Sequence, residues 1–225
     1  MSADNDISML MNVEEPELLL ERAHPFMGLM TQYQCAMLEL KTKLDVLNAE
    51  LSLENDRNPI ESIVCRLKKP VSIMSKLRSR GCEMTIENIE KRVRDVAGIR
   101  VICSFVNDIY MLAEKLCSQD DVRLIDSKDY IKNPKPNGYR SLHLIIEIPI
   151  FLSNETKPML VEVQLRTTAM VFWASIEHKI KYKKNISDGD AVAERLRQCA
   201  EEISRIDEQM QSIRDEVESM QNTDI

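Results

Sequence analysis

Residues 141–166 read "SLHLIIEIPIFLSNETKPMLVEVQLR". Two runs that alternate with period two flank a turn-rich insert, "FLSNETKP", and the spacing predicts two strands. In the second run Leu160, Glu162, Gln164 and Arg166 point to one side, and Val161, Val163 and Leu165 to the other. In the first run Leu142, Leu144, Ile146 and Ile148 share a face opposite His143, Ile145 and Glu147. If the runs pair antiparallel, one face is aliphatic and the other carries His143, Glu147, Glu162 and Gln164. Exposure to solvent would explain such a face. If helices cover it, a carboxylate there needs a cation or a metal as partner.

Outward from this pair, strands and helices interleave. "IRVICSF" (99–105) is β-branched and reads as a strand, "NDIYMLAEKLCSQ" (107–119) as a helix and "DVRLID" (121–126) as a short strand. "TTAMVFWASIEHKIKYKK" (167–184) is an amphipathic helix. "TIENIEKRVRDVAG" (85–98) is another, with Thr85 and Asn88 near its start and Gly98 after its end. In "NPIESIVCRLKKPVSIMSKLRSRG" (58–81) the apolar spacing predicts a helix from the Asn58 cap to Gly81, divided or kinked at Pro70.

Both ends show apolar residues at alternating threes and fours: Tyr33, Met37, Leu40, Leu44, Leu47 and Leu51 near the start, and Val192 through Met220 near the end. Each is one seam of a long helix. The seams can pack on each other, on the centre, or across subunits. The fold class is α+β, a mixed sheet domain with helical arms. The sections are residues 1–56, an N-terminal helical arm, 57–185, a central sheet domain, and 186–225, a heptad-patterned helix.

Charge follows the same division. Residues 1–56 hold 11 acids against 3 bases and residues 186–225 hold 11 against 4, whereas 57–185 hold 23 bases against 15 acids. A cationic centre suits a polyanion or phosphate ligand. No apolar run approaches a membrane span and "MSADNDISML" is too acidic for a signal peptide, so the expected compartment is the cytoplasm. Six cysteines without a CxxC pair read as reduced thiols, and three scattered histidines disfavour a histidine-built metal site. Neither GxxxxGK[ST] nor GxGxxG occurs, which excludes those nucleotide-binding loops.

Two further features carry chemistry. Residues 57–100 hold 11 bases against 5 acids. Lys76 and Arg80 lie one helical turn apart, Ser72 one turn before Lys76, and Arg66 and Lys68 just before Pro70. Such a row can bind phosphates, or it can be an exposed basic face. In "RDVAGIR" Asp95 falls at a helix end and Arg100 enters the next strand. An acid there, facing one from a neighbouring strand, can hold Mg²⁺ against a polyphosphate, although a lone Asp95 also suits a turn.

"RLKKPVSIMSK", "RDVAGIRVICSF", "NPKPNGYRSLHLIIEIP" and "VEVQLRTTAMVFWASIEHKIKYK" together resemble the synthetase domain of the RelA/SpoT family. They are more similar to its stand-alone small alarmone synthetases, and "KPNGYRSLHLIIE" to the RelP-like branch. The resemblance runs from about residue 57 to 184. It implies a nucleotidyltransferase-like mixed sheet of about five strands flanked by helices. It also implies a (p)ppGpp synthetase of the stringent response, moving the β,γ-diphosphate of ATP to the 3′-hydroxyl of GDP or GTP. Arg66 and Arg100 would sandwich the adenine, and Lys68, Ser72 and Lys76 would hold its phosphates. Arg80 would stand in for a phosphate-binding arginine expected at Ser79. Asp95 and Glu162 would be the catalytic pair binding Mg²⁺, with Glu162 also drawing the proton from the attacking hydroxyl. Tyr139 would stack on guanine, Lys135 and His143 would meet the acceptor's phosphates and ribose side, and Gln164 would support Glu162. Val171 stands where the pattern has Asn or Asp, a group that would read the guanine edge.

The resemblance further implies synthesis without hydrolysis, and a homotetramer built through the terminal helices. Neither membrane nor DNA is an expected partner, and RNA is left open. Two other readings stand beside it: the same transfer onto adenine nucleotides or tRNA 3′ ends, and a non-catalytic nucleotide- or RNA-binding oligomer.

Overall fold

A computed structural model describes residues 16–54, 57–182 and 189–221. The acidic stretch 1–15 and the section boundaries near residues 56 and 185 lie outside them. The elements are α1 (Pro16–Glu54), β1 (Ile60–Leu67), α2 (Pro70–Ser79), α3 (Ile86–Arg92), β2 (Ala97–Cys103), α4 (Val106–Cys117), β3 (Arg123–Asp129), β4 (Leu142–Phe151), β5 (Thr156–Thr167), α5 (Thr168–Tyr182) and α6 (Gly189–Gln221). The five strands form one sheet in the order β1-β2-β5-β4-β3. β2 and β5 run parallel, and every other neighbouring pair is antiparallel. The fold is a mixed α+β sheet flanked by helices.

The 141–166 reading holds. β4 and β5 pair antiparallel with His143 opposite Gln164, Ile145 opposite Glu162 and Ile146 opposite Val161. Leu144, Ile146, Ile148, Val161, Val163 and Leu165 are buried, and so are Ile99 and Val101 of β2. α1 crosses this aliphatic face over β1, β2, β4 and β5. Its whole seam is inside: Leu40 and Leu44 are fully buried, and Tyr33, Met37, Leu47 and Leu51 nearly so. Burying a leucine side chain stabilises by about 1.5–3 kcal/mol. The long helix therefore closes the core rather than standing apart from it.

The reading of 58–81 as one divided helix is overturned. Residues 60–67 are an edge strand with a register shift between Ile60 and Ser62. Ile60, Ile63, Val64 and Leu67 sit at helical spacing, but three of the four are β-branched, which favours a pleated surface. Pro70 does not kink a helix. It opens α2 at its first turn, where the missing N–H costs nothing. The helix from Thr85 is also shorter than expected. Thr85 caps it by accepting from the Asn88 amide, and it stops at Arg92. Asp95 sits in the connection that follows, and Gly98 lies inside β2 instead of in a turn.

α6 docks differently from α1. Trp173 Nε1 donates to the Leu196 carbonyl at 2.9 Å, Thr167 Oγ1 to Asp207 at 2.5 Å, and the Asn107 amide to Gln211 at 3.1 Å. Asp108, 1% exposed, takes both Arg57 nitrogens at 2.9 and 2.7 Å and lies 3.8 Å from Arg214. Polar positions thus hold the helix to the body. Its apolar seam turns outward from Ile206 on, through Met210, Ile213, Val217 and Met220. All six cysteines are free thiols, and among the described residues no helix is long and apolar enough to cross a membrane.

Candidate active site

The polar face of the sheet carries two rows of side chains across all five strands. One row is Arg66, Gly98, Glu162, Ile145 and Asp126; the next is Val64, Arg100, Gln164, His143 and Lys128. Directly opposed residues project to the same side. The sequence parity of β4 and β5 therefore extends over the whole sheet, and β1, read as helix, supplies its outermost members.

Two cavities lie on this face. The smaller, about 240 Å³, is lined by Val64, Arg66, Lys68, Asp95, Gly98, Ile99, Arg100, Glu162 and Gln164. Gly98 sits between Arg66 and Glu162, and a Cβ added there would meet only the Arg66 carbonyl, at 3.6 Å. Its missing side chain keeps the floor open between the arginines and the carboxylate. Arg100 Nε is buried with no hydrogen-bond partner. An orphaned cation donor facing a cavity is costly unless a ligand satisfies it.

The larger cavity, about 480 Å³, runs toward β3. Lys76, Arg80, Lys91, Arg92, Arg94, Lys128 and Lys135 line it against Asp95, Asp126 and Glu162, with Tyr130, His143 and Ile145 completing the wall. Seven cations against three acids make it a seat for a highly charged anion. Asp95 and Glu162 border both cavities.

Asp95 is held by two lysines, with Lys68 and Lys76 Nζ each 2.8 Å from one of its oxygens. Burial pushes its carboxyl up, but those hydrogen bonds outweigh it and hold the group below the ordinary aspartate value. Glu162 behaves alike. Burial raises it, while His143 Nδ1 at 3.3 Å and Gln164 Nε2 at 2.9 Å from its oxygens bring it below the usual range. Both groups are carboxylates at neutral pH. Among the described residues no three metal-ligating His, Cys, Asp or Glu side chains converge. Mg²⁺ does not require that, since it takes one or two carboxylates, waters and substrate phosphates. Asp95 and Glu162 fit it, and the charge of one is felt at the other.

The expected residues divide as follows. Lys76, Arg80, Lys135 and His143 meet in the larger cavity, and Arg66, Lys68, Arg100 and Gln164 in the smaller. Arg80, at the C-cap of α2, donates to the Arg92 carbonyl. Ser72, in the first turn of α2, lines neither cavity, and neither do Tyr139 and Val171. Tyr139 turns inward: its hydroxyl lies 2.8 Å from His143 Nε2, and its ring is edge-on to Tyr130 and His143. Lys135 Nζ stands 4.6 Å from the Tyr130 centroid and 4.7 Å from that of Tyr139. The loop bearing them turns at Gly138, whose φ is 89° and whose added Cβ would strike Ala200 of α6 at 2.5 Å.

Sequence reasoning missed Tyr130, Lys128, Asp126, Arg92, Arg94 and Lys91. Lys128 and Asp126 follow the same alternation as β4, but the strand expected over 121–126 stops short of Lys128, whereas β3 runs to Asp129. It also missed Arg166, which parity put on the correct face without a role.

A family model described as "Region found in RelA / SpoT proteins" matches residues 65–187. GTP pyrophosphokinase YwaC of Bacillus subtilis is 44% identical over 186 residues, 83% of this chain and 89% of that protein. GTP pyrophosphokinase YjbM of the same organism is 40% identical over 189 residues, 84% and 88% of the two chains. Among solved structures, small alarmone synthetase 1 from Bacillus subtilis bound to its product pppGpp superposes with TM-score 0.77 at 38% identity, covering 86% of this chain and 98% of that one. Small alarmone synthetase 2 of that organism gives 0.76 at 41%, covering 85% and 99%. Sequence match and shared sheet agree over most of the length, and the chain belongs to the RelA/SpoT family.

Proposed function

We propose that this protein is a GTP pyrophosphokinase, which makes (p)ppGpp by moving the β,γ-diphosphate of ATP to the 3′-hydroxyl of GDP or GTP. The observation that carries this reading is the pair of cavities bordered in common by Asp95 and Glu162. A two-substrate transfer needs two seats and a shared reacting centre, and its catalysis is mostly alignment and charge neutralisation.

The smaller cavity takes the donor. Arg66 and Arg100 flank the adenine, Arg100 Nε gaining a partner, while Lys68 and, from across the shared Asp95 border, Lys76 and Arg80 bind phosphates that reach out of the smaller cavity, with Ser72 in the first turn of α2. The larger cavity takes the acceptor, with Lys135 and His143 on its phosphates and ribose and Tyr139 released onto guanine. Glu162 accepts the proton of the 3′-hydroxyl as its oxygen bonds to the β-phosphorus, and the bond from that phosphorus to the α-phosphate oxygen breaks to release AMP. Asp95 and Glu162 would hold Mg²⁺, which when bound would supply charge neutralisation at the phosphates. Lys68 and Lys76, each 2.8 Å from an Asp95 oxygen, turn to the phosphates.

The outward seam of α6, with Leu38, Val46 and Leu53 exposed on α1, supports assembly of copies through the terminal helices into a homotetramer. The three sections 1–56, 57–185 and 186–225 and a cytoplasmic location complete the proposal. Purified protein given ATP, Mg²⁺ and GDP or GTP should yield AMP and a 3′-diphosphorylated guanine nucleotide by anion-exchange chromatography. Absence of both products while both nucleotides bind would sink the enzyme reading.

A further inference from the structure

Arg166 is 5% exposed and borders neither cavity, yet it shares the polar parity of β5, two residues beyond Gln164 and opposite Ile102 of β2. One of its terminal nitrogens donates both to the Tyr139 hydroxyl and to Gln164 Oε1, the latter at 3.0 Å. Its Nε donates to Ser141 Oγ at 3.4 Å, and its guanidinium carbon stands 4.8 Å from the Tyr139 ring centroid. Each of the first two contacts begins an arm. Through Gln164, Nε2 continues to Glu162 Oε2 at 2.9 Å. Through Tyr139, the hydroxyl meets His143 Nε2 at 2.8 Å, and His143 Nδ1 meets Glu162 Oε1 at 3.3 Å.

Two arms thus join one guanidinium to both oxygens of one carboxylate. A guanidinium can only donate and a carboxylate can only accept, so with the Tyr139 hydroxyl passing its proton onward both arms run from Arg166 to Glu162. The Tyr139 oxygen accepts from Arg166 and spends its own proton on His143 Nε2. His143 then accepts at Nε2 and donates from Nδ1–H to Glu162. Gln164 must turn its oxygen to Arg166 and its amide to Glu162.

We propose that Arg166 is a positioning residue for the transfer: from outside both cavities it orients Glu162 through Gln164 throughout, and until the acceptor draws Tyr139 away the same nitrogen ties that carboxylate to the acceptor loop. The inference rests on Glu162 as the base of the reaction proposed above. Without Arg166 the Gln164 amide loses the partner that sets its orientation, and the Tyr139–His143 arm loses its source. Arg66 and Arg100 of the donor cavity are not in either arm.

The test reads the arms without turnover. In metal-free protein with ¹⁵N-labelled histidine, at a pH well above the ordinary histidine pKa of about 6.5, His143 should show a protonated Nδ1 and a bare Nε2, assigned by loss of the signal in His143→Gln. In Arg166→Met, with a native melting profile, the tautomer should move toward Nε2–H. In steady state, kcat should fall by about 10- to 100-fold, as for outer partners of site ligands, with the KM for ATP unchanged within about twofold. Arg166→Lys should recover part of kcat. Should Arg166→Met fail to fold, Tyr139→Phe cuts one arm with Arg166 in place and should shift the tautomer alike. The proposal is overturned if native His143 is the Nε2–H form, or if its tautomer survives both substitutions. A protein that shows the tautomer and its shift but transfers no diphosphate refutes the function and leaves the hydrogen-bond arms standing.

Discussion

The two cavities share Asp95 and Glu162 but stand in opposite states of readiness. The donor cavity is rooted on three adjacent strands, floored by Gly98, and offers an arginine nitrogen with no partner. The larger cavity, proposed above for the acceptor, is walled by helix and strand cations and by a loop whose groups serve one another: Lys135 rests on two tyrosine rings, and Tyr139 behind it is held by His143 and Arg166. Filling the first exchanges only the Lys68 and Lys76 contacts on Asp95. The second must also undo the loop's ring contacts and the Tyr139 hydroxyl bonds, so under the proposed assignment acceptor binding carries a loop rearrangement that donor binding does not.

Substitutions can break this comparison, and the largest effect belongs to the residue on the border. Glu162→Gln should cut transfer by about 10³-fold, with nucleotide binding to both cavities retained in equilibrium titrations. A loss confined to one substrate's affinity would show that Glu162 belongs to one cavity alone. Gly98→Val fills the donor floor. Overpacking there should raise the KM for ATP about tenfold or more and leave the acceptor KM alone. Equal effects on both would deny that the seats are separate. Lys135→Met should do the converse, raising the acceptor KM about tenfold through a lost charge-assisted contact, with ATP unaffected. Val171→Asn is the smallest. A new donor and acceptor on α5 should shift the GDP-to-ADP preference as acceptor by a few-fold, the worth of one hydrogen bond of about 1 kcal/mol; an unchanged ratio would remove Val171 from the acceptor seat.

How much of this was legible depended on where each residue's partners lie. β4 and β5 are paired on both edges and alternate cleanly, so parity alone placed His143, Glu162 and Gln164 together. β1 is an edge strand, covered on one side, and its four apolar residues fall at helical intervals by coincidence of a bulge near Ile60. Pattern could not decide it; β-branching and Pro70 as a helix opener could have. The terminal helices carry the same heptads, yet α1 buries its seam and α6 shows its own. The difference lies in Asp207, Gln211 and Arg214, whose partners Thr167, Asn107 and Asp108 are far away in sequence. Arg166 was legible as to face and illegible as to role for the same reason.

The paired rows across the sheet also act as a ruler. Neighbouring strands stand about 4.8 Å apart, so the interval from Arg66 to Glu162 is set by backbone hydrogen bonds and not by side-chain flexibility. Loops between strands can lengthen without altering that interval. A single residue lost within β5 cannot be absorbed: it would exchange Glu162 and Gln164 for Val161 and Val163 and drive two carboxyl-and-amide side chains into an aliphatic core. The tolerance of this enzyme to insertion and deletion should therefore change abruptly at Thr156 and Thr167, the two ends of the strand that carries the graduation mark.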